Sequence, residues 1–128
     1  MNKVNIKELK TEIRNTYKEK RKSISLEDRK LMDYAICKKF LSLSSYRFAD
    51  TILLYSPLKY EIDTIMIAAD ALSKGKKVAF PRCIEDNQMV YHYISSLDDL
   101  SPGMYGIREP NNNLPTFDPA ATDRVICV

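Results

Sequence analysis

Glycine is scarce in this sequence: Gly75, Gly103 and Gly106 are the only three in 128 residues. None belongs to a GxxxxGKS/T or GxGxxG pattern, so these residues carry no glycine-rich cradle for phosphates. Histidine is scarcer still. The single His92 lies in the strand-like run 89–94, where it reads as a strand residue and not as a catalytic base. One histidine so placed supports no Ser-His-Asp set. Cys37, Cys83 and Cys127 are odd in number, widely spaced and free of any CxxC pair. That argues against a disulfide framework, a zinc knuckle and a His/Cys metal site. No apolar run approaches the roughly 18 residues of a membrane span, and residues 1–7 lack the apolar core of a secretory signal. A single cytoplasmic domain over residues 1–128, with no membrane partner, is the expectation.

Charge is present but uneven. Of the 20 Lys/Arg residues, ten fall between Lys3 and Lys30, against five acids in the same stretch. The front end is therefore basic on an otherwise near-neutral chain, which favours an anionic partner: nucleotide, polyanionic cofactor or nucleic acid.

Apolar spacing divides the chain into elements. Residues 6–22 read as a helix, with Ile6, Leu9, Ile13 and Tyr17 in one apolar stripe beside a basic stripe of Lys7, Lys10, Arg14, Lys18 and Arg21. A second helix should begin at Ser25, with Glu27 and Asp28 in its first turn, and bury Met32, Ile36 and Phe40. Residues 51–55 read as a buried strand between Asp50 and Pro57. A helix capped by Asp63 or Thr64 follows, with Ile65, Ala68, Ala69 and Leu72 on one face, and Gly75 ends it. Residues 77–80 form the next strand, stopped by Pro81. Strand, helix and strand make a βαβ unit, hence a parallel sheet. Residues 89–94 are a further strand, 101–119 mostly loop, and 124–128 strand-like again. A chain ending on such a strand is expected to continue into a loop and a covering helix.

Three constellations can carry chemistry. Lys10 and Arg14 are one helical turn apart, so they can clamp a polyphosphate together; the plainer alternative is a solvated basic face with intrahelical pairs such as Glu12 with Lys10. The segment 55–64 joins a strand end to a helix start, the edge of an open parallel sheet where ligands collect. Ser56 and Glu61 can supply hydrogen bonds there, and Tyr55 and Tyr60 flat surfaces. The plainer alternative makes Glu61 a favourable charge near a helix N-terminus. Third, Arg82 follows another strand end and Arg108 lies in a loop, both candidate anion contacts.

Taken in order, these residues resemble a known family. The pattern Lys10-x-x-x-Arg14, the continuing basic helix with Arg21, and Ser25-Leu26-Glu27-Asp28-Arg29 resemble the opening of 5-formyltetrahydrofolate cyclo-ligases. So do segments 54–64, 75–82 and 105–110, in register along essentially the whole chain. The resemblance implies an α/β fold with a mostly parallel sheet flanked by helices, of the sugar-phosphate isomerase and CoA-transferase type, truncated at the C-terminus. It implies conversion of ATP and 5-formyltetrahydrofolate to 5,10-methenyltetrahydrofolate, ADP and phosphate, with Mg2+. In that scheme the formyl oxygen takes the γ-phosphoryl group, N10 closes the ring and phosphate leaves, so positioning and charge neutralisation carry the step. Position by position, Lys10 and Arg14 match nucleotide contacts, Ser56 and Glu61 folate contacts, and Tyr105 an aromatic against the folate. No catalytic side chain and no metal ligand is assigned. Members of the family continue into an Arg- and Gly-rich phosphate loop beyond the last residue given, so the resemblance does not imply activity of these 128 residues alone. A monomer without nucleic-acid partners is expected. The competing reading, a nucleic-acid-binding module on the basic helix, is opposed by the scattered, acid-balanced cations beyond the second helix. A sugar-phosphate enzyme of the same fold class is disfavoured by the strand-exit segment.

Overall fold

Local chemistry accounts for where the first helices start. Asn5 accepts the N–H groups of Lys7 and Glu8 at 3.1 and 3.4 Å and opens α1 (Ile6–Ser23). Ser25 accepts the Asp28 N–H at 3.1 Å and opens α2 (Leu26–Leu41). A short α3 (Ser44–Phe48) follows, so the segment expected to close the second helix makes a separate turn. The computed structural model describes residues 5–103, 106–121 and 124–128.

β1 (Thr51–Leu53) leads through α4 (Ile65–Ser73) to β2 (Lys77–Ile84). Gly75 has φ +74°, the left-handed conformation that ends a helix at no steric cost to glycine. β3 (Gln88–Ile94) returns antiparallel to β2 through a turn in which Asp86 and Asn87 both have positive φ. A small antiparallel pair, β4 (Leu100–Pro102) and β5 (Arg108–Pro110), occupies part of the region read as loop. The last strand, β6 (Val125–Cys127), pairs parallel with β1. The sheet order is β3-β2-β1-β6, with β1 parallel to both neighbours. This is the mostly parallel, helix-flanked sheet expected.

Pro81 does not stop its strand. Lys77 N–H and Ala79 C=O both face β1, bonded to Asp50 O and Leu54 N–H. Pro81, two residues further, faces the same way past the point where the β1 register ends at Leu53 opposite Ala79. No ladder bond is lost there, so the strand runs on to Ile84.

Ile52, Leu54, Val78, Phe80 and Ile94 from one side of the sheet pack with Cys37, Tyr46, Ile67, Ala68 and Ala71 from the helices. Two helix faces differ from the spacing. In α2, Met32 and Ile36 are exposed, and Arg29, Asp33, Cys37 and Phe40 turn inward. In α4, Ala69 is exposed and Ile67 and Ala71 are buried. Spacing gives a face; which face is covered depends on where the chain crosses the sheet. The α1 stripe is real as geometry, yet Ile6, Leu9, Ile13 and Tyr17 are 45–65% exposed and α1 contains no buried residue.

Candidate functional site at the exit of the first strand

β1 lies between two parallel neighbours, so the loop leaving its C-terminal end opens at the edge where such sheets take ligands. The loop is tied along its length. Thr64 Oγ1 donates to Tyr55 O at 2.9 Å, and Tyr55 Oη donates to Ile62 O at 3.0 Å. Glu61 closes the turn, its Oε1 accepting the Leu58 N–H at 3.0 Å and its own N–H donating to Leu58 O at 3.1 Å. Thr64 is thus a tie across the loop and makes no side-chain cap bond; Asp63 Oδ1 accepts the Ile65 N–H instead, at 3.0 Å.

The helices clamp this loop from outside. Asp33 of α2 accepts the Asp63 N–H at 3.3 Å and pairs with Arg21 of α1 at 3.2 Å. Arg21 also donates through Nε to Tyr60 O. Arg29 Nη1 donates to Lys59 O at 3.2 Å, and its guanidinium lies 5.0 Å from the Tyr60 ring centroid. Cys37 Sγ donates to Asp63 O at 3.2 Å. Burial, and then the charges of Asp63 and Asp33, raise the Cys37 thiol above its ordinary pKa. Burial, then Glu61 and Asp33, raise the Tyr55 phenol likewise. Both groups therefore keep their protons and remain donors.

Between loop and α2 lies a cavity of about 340 Å³, lined in part by Ser56, Glu61, Arg29, Lys30, Asp33, Lys59 and Arg108. Ser56 is buried and Glu61 exposed, so the serine sits deep and the carboxylate is open to solvent. One buried group is unsatisfied: Arg29 Nε has no hydrogen-bond partner. An orphaned guanidinium N–H beside this cavity suits an acceptor brought by a ligand, since leaving it unpaired costs about 1–3 kcal/mol.

The predicted residues divide. Ser56 and Glu61 share this cavity. Lys10 and Arg14 do not line it; they lie on the exposed part of α1, roughly 16 and 10 Å of helical rise before Arg21. Neither makes a hydrogen bond or ion pair among the described residues, so the Glu12–Lys10 pair is not formed. Tyr105 lies outside the described residues. Arg108 does reach the cavity, with Nη2 donating to Leu97 O and Leu100 O at 3.2 and 3.3 Å. Arg82 turns elsewhere, donating from Nε to His92 Nε2 at 3.1 Å. His92 is 3% exposed, and its Nδ1–H donates to Leu114 O at 2.9 Å. Both imidazole nitrogens are thus committed, which makes His92 a satisfied strand residue.

With this geometry in place, the comparisons with known proteins can be stated. The family model for 5-formyltetrahydrofolate cyclo-ligases matches residues 6–128. The chain belongs to the 5-formyltetrahydrofolate cyclo-ligase family. Its fold is similar to the NMR structure of the 5,10-methenyltetrahydrofolate synthetase of Aquifex aeolicus, with a TM-score of 0.75 and 27% identity over 91% of this chain. It is also similar in fold to the 5,10-methenyltetrahydrofolate synthetase of Mycoplasma pneumoniae, with a TM-score of 0.64 and 19% identity over 91% of this chain. The chain spans 59% and 61% of the length of those two proteins. No curated protein matches the sequence.

For a member of the cyclo-ligase family, the clamp is the part that motif reading left without a role. Arg29, Asp33 and Cys37 recur at steps of four, a polar stripe inside α2 that the apolar count passed over. Glu109 was passed over too. It is 7% exposed and accepts the Cys83 N–H at 3.0 Å, on the side of β2 that β1 no longer covers. Gly103 makes room for it: a Cβ there would stand 2.6 Å from Glu109 Cδ. That hydrogen bond, then burial, raises the Cys83 thiol. Among the described residues no cluster of three or more metal-ligating side chains forms, so no residue here is assigned to Mg2+.

Proposed function

We propose that the intact protein converts 5-formyltetrahydrofolate to 5,10-methenyltetrahydrofolate with ATP as co-substrate, and that the cavity at the exit of β1 holds the folate. The observation that carries the reading is the convergence of Ser56 and Glu61 on one cavity, in a loop fixed by Arg21, Arg29 and Asp33. A carboxylate on the rim suits the amino and ring N–H groups of a pterin, and the Ser56 hydroxyl can donate or accept deeper in. The clamp fixes the loop before any ligand arrives, so little ordering entropy is spent on binding. Lys10 and Arg14 are the residues proposed to hold the ATP phosphates. As unpaired cations one helical turn apart they fit an oligophosphate. ATP when bound supplies the phosphoryl group that activates the formyl oxygen; these residues bind, orient and neutralise.

The test is titration calorimetry of 5-formyltetrahydrofolate into the protein. Saturable binding is expected, weakened about 10- to 100-fold by Glu61→Gln, the worth of one charge-assisted hydrogen bond. Lys10→Gln with Arg14→Gln should lower ATP affinity and leave folate affinity unchanged. Folate affinity indifferent to Glu61→Gln would remove this cavity from the reading.

A further inference from the structure

A second depression, of about 530 Å³, opens at the other end of the sheet. Its lining includes Asp50 and Thr51 at the start of β1, Lys76 and Lys77 at the start of β2, and Arg124 just before β6. Arg47 from α3 and Lys74 after α4 complete a set of five cations facing one acid. A solvated basic face ordinarily interleaves the two signs. Here Lys74 is matched by Asp70 at 2.8 Å, outside the depression. Lys76 is held as part of the wall, its Nζ donating to Arg47 O and Ala49 O at 3.0 and 2.6 Å. Those bonds fix its position without cancelling its charge. Arg47, Lys77 and Arg124 have no acid partner among the described residues. A formal surplus of three positive charges remains after Asp50 is set against one of the others.

A second observation points the same way. Thr51 is 0% exposed and its Oγ1 has no hydrogen-bond partner. A buried hydroxyl left unsatisfied beside a cationic depression is a hydrogen-bond requirement that a bound anion or its water can meet. Like charges gathered on a concave wall focus the local field and repel one another until an anion neutralises them. The two arginine forks suit phosphate oxygens, and cations on three separate chain segments suit a ligand with more than one anionic group.

We propose that this depression is a second anion site, taking a small oligophosphate of two or more linked phosphate groups. It is separate from the folate cavity and from Lys10 and Arg14.

The test is an amide NMR titration of the whole chain with sodium tripolyphosphate and, separately, with inorganic phosphate. Tripolyphosphate is expected to shift residues 47–51, 74–77 and 124 in a saturable way, and to bind at least tenfold tighter than phosphate. Lys77→Gln with Arg124→Gln should weaken it at least tenfold, with the remaining amides superimposing on the parent spectrum. Should that pair disturb the spectrum elsewhere, Arg47→Gln, an exposed side chain on a separate helix, is expected to weaken binding about threefold or more. Lys10→Gln with Arg14→Gln should leave these shifts in place. Shifts that never saturate, equal affinity for phosphate and tripolyphosphate, or shifts abolished by the Lys10 and Arg14 changes would overturn the proposal. The last outcome would instead support the nucleotide role of those two residues, so the two readings fail separately.

Discussion

Helices α1 and α4 look alike as sequences and differ as structure. Each has apolar residues at steps of three and four. In the nine residues of α4, Ile67, Ala68 and Ala71 are buried, the start is held by Asp63 and the end by Gly75. In the 18 residues of α1 nothing is buried. Its described ties to the body come from Arg21, near its C-terminal end, and from Lys22 over the Tyr60 ring at 5.4 Å. Apolar spacing therefore reports that a helix has a face, while burial depends on a sheet crossing beneath it. The difference matters for the proposed site. Ser56 and Glu61 follow a strand of the packed region, so their geometry is preset. Lys10 and Arg14 sit on a helix fixed at one end, free to approach a ligand as the helix moves.

Asp33 is where the two regions meet, and its removal should have the largest effect. Asp33→Ala strips Arg21 and the Asp63 N–H of their acceptor at once. Both sites are partly exposed, so the expected loss is on the order of 2 kcal/mol and below that of a fully buried pair. Urea unfolding should show it. Amide exchange across α1 should quicken while β1 and β2 stay protected. Equal protection of α1 with and without Asp33 would mean the helix is held by something other than this clamp.

A smaller effect is expected at the packed helix. Tyr46 is 0% exposed and donates to Asp70, which also pairs with Lys74. Burial alone would raise the Asp70 carboxyl, but the Lys74 and Tyr46 hydrogen bonds pull it below its ordinary range. A carboxyl depressed in the folded state adds stability that is present above its unfolded pKa of about 3.9 and lost as pH falls through the lower folded value. Burial, then the Asp70 bond, raise the Tyr46 phenol. Its contribution is complete below about pH 10 and is lost as pH climbs through the folded value. Asp70→Asn should cost about 1 kcal/mol at neutral pH and flatten the acid limb, measured by urea midpoints from pH 3 to 7. An acid limb as steep as the parent's would assign it to other carboxylates.

The residues that were legible and those that were not separate on physical grounds. Helix starts at Asn5 and Ser25, and the helix end at Gly75, follow from bonds between neighbours in sequence, so local chemistry carries them. The β1–α4–β2 crossover follows from the change of period, and the Ser56–Glu61 segment from its place at a strand exit. Pro81 misled because the missing N–H matters only where a partner strand stands opposite, and β1 ends before it. The inward face of α2 misled for a related reason. What it covers is a polar loop, so Arg29, Asp33 and Cys37 turn in and Met32 and Ile36 turn out, against the apolar count. Neither could be read from spacing, since both depend on how far another segment extends.

The smallest expected change is the most pointed test of the comparison. Ile13 is 49% exposed in the middle of the α1 stripe, so Ile13→Ala removes apolar surface that water already reaches. Alanine is also the better helix former. Unfolding free energy should therefore stay within about 0.5 kcal/mol of the parent and may not fall at all if propensity outweighs the lost contacts. The same change at a buried isoleucine such as Ile52, 0% exposed, would cost about 2–5 kcal/mol. A loss at Ile13 approaching that range would show that the stripe is covered in solution. Repeating the measurement at tenfold lower protein concentration would then identify the cover, because a second copy dissociates on dilution and an intramolecular contact does not.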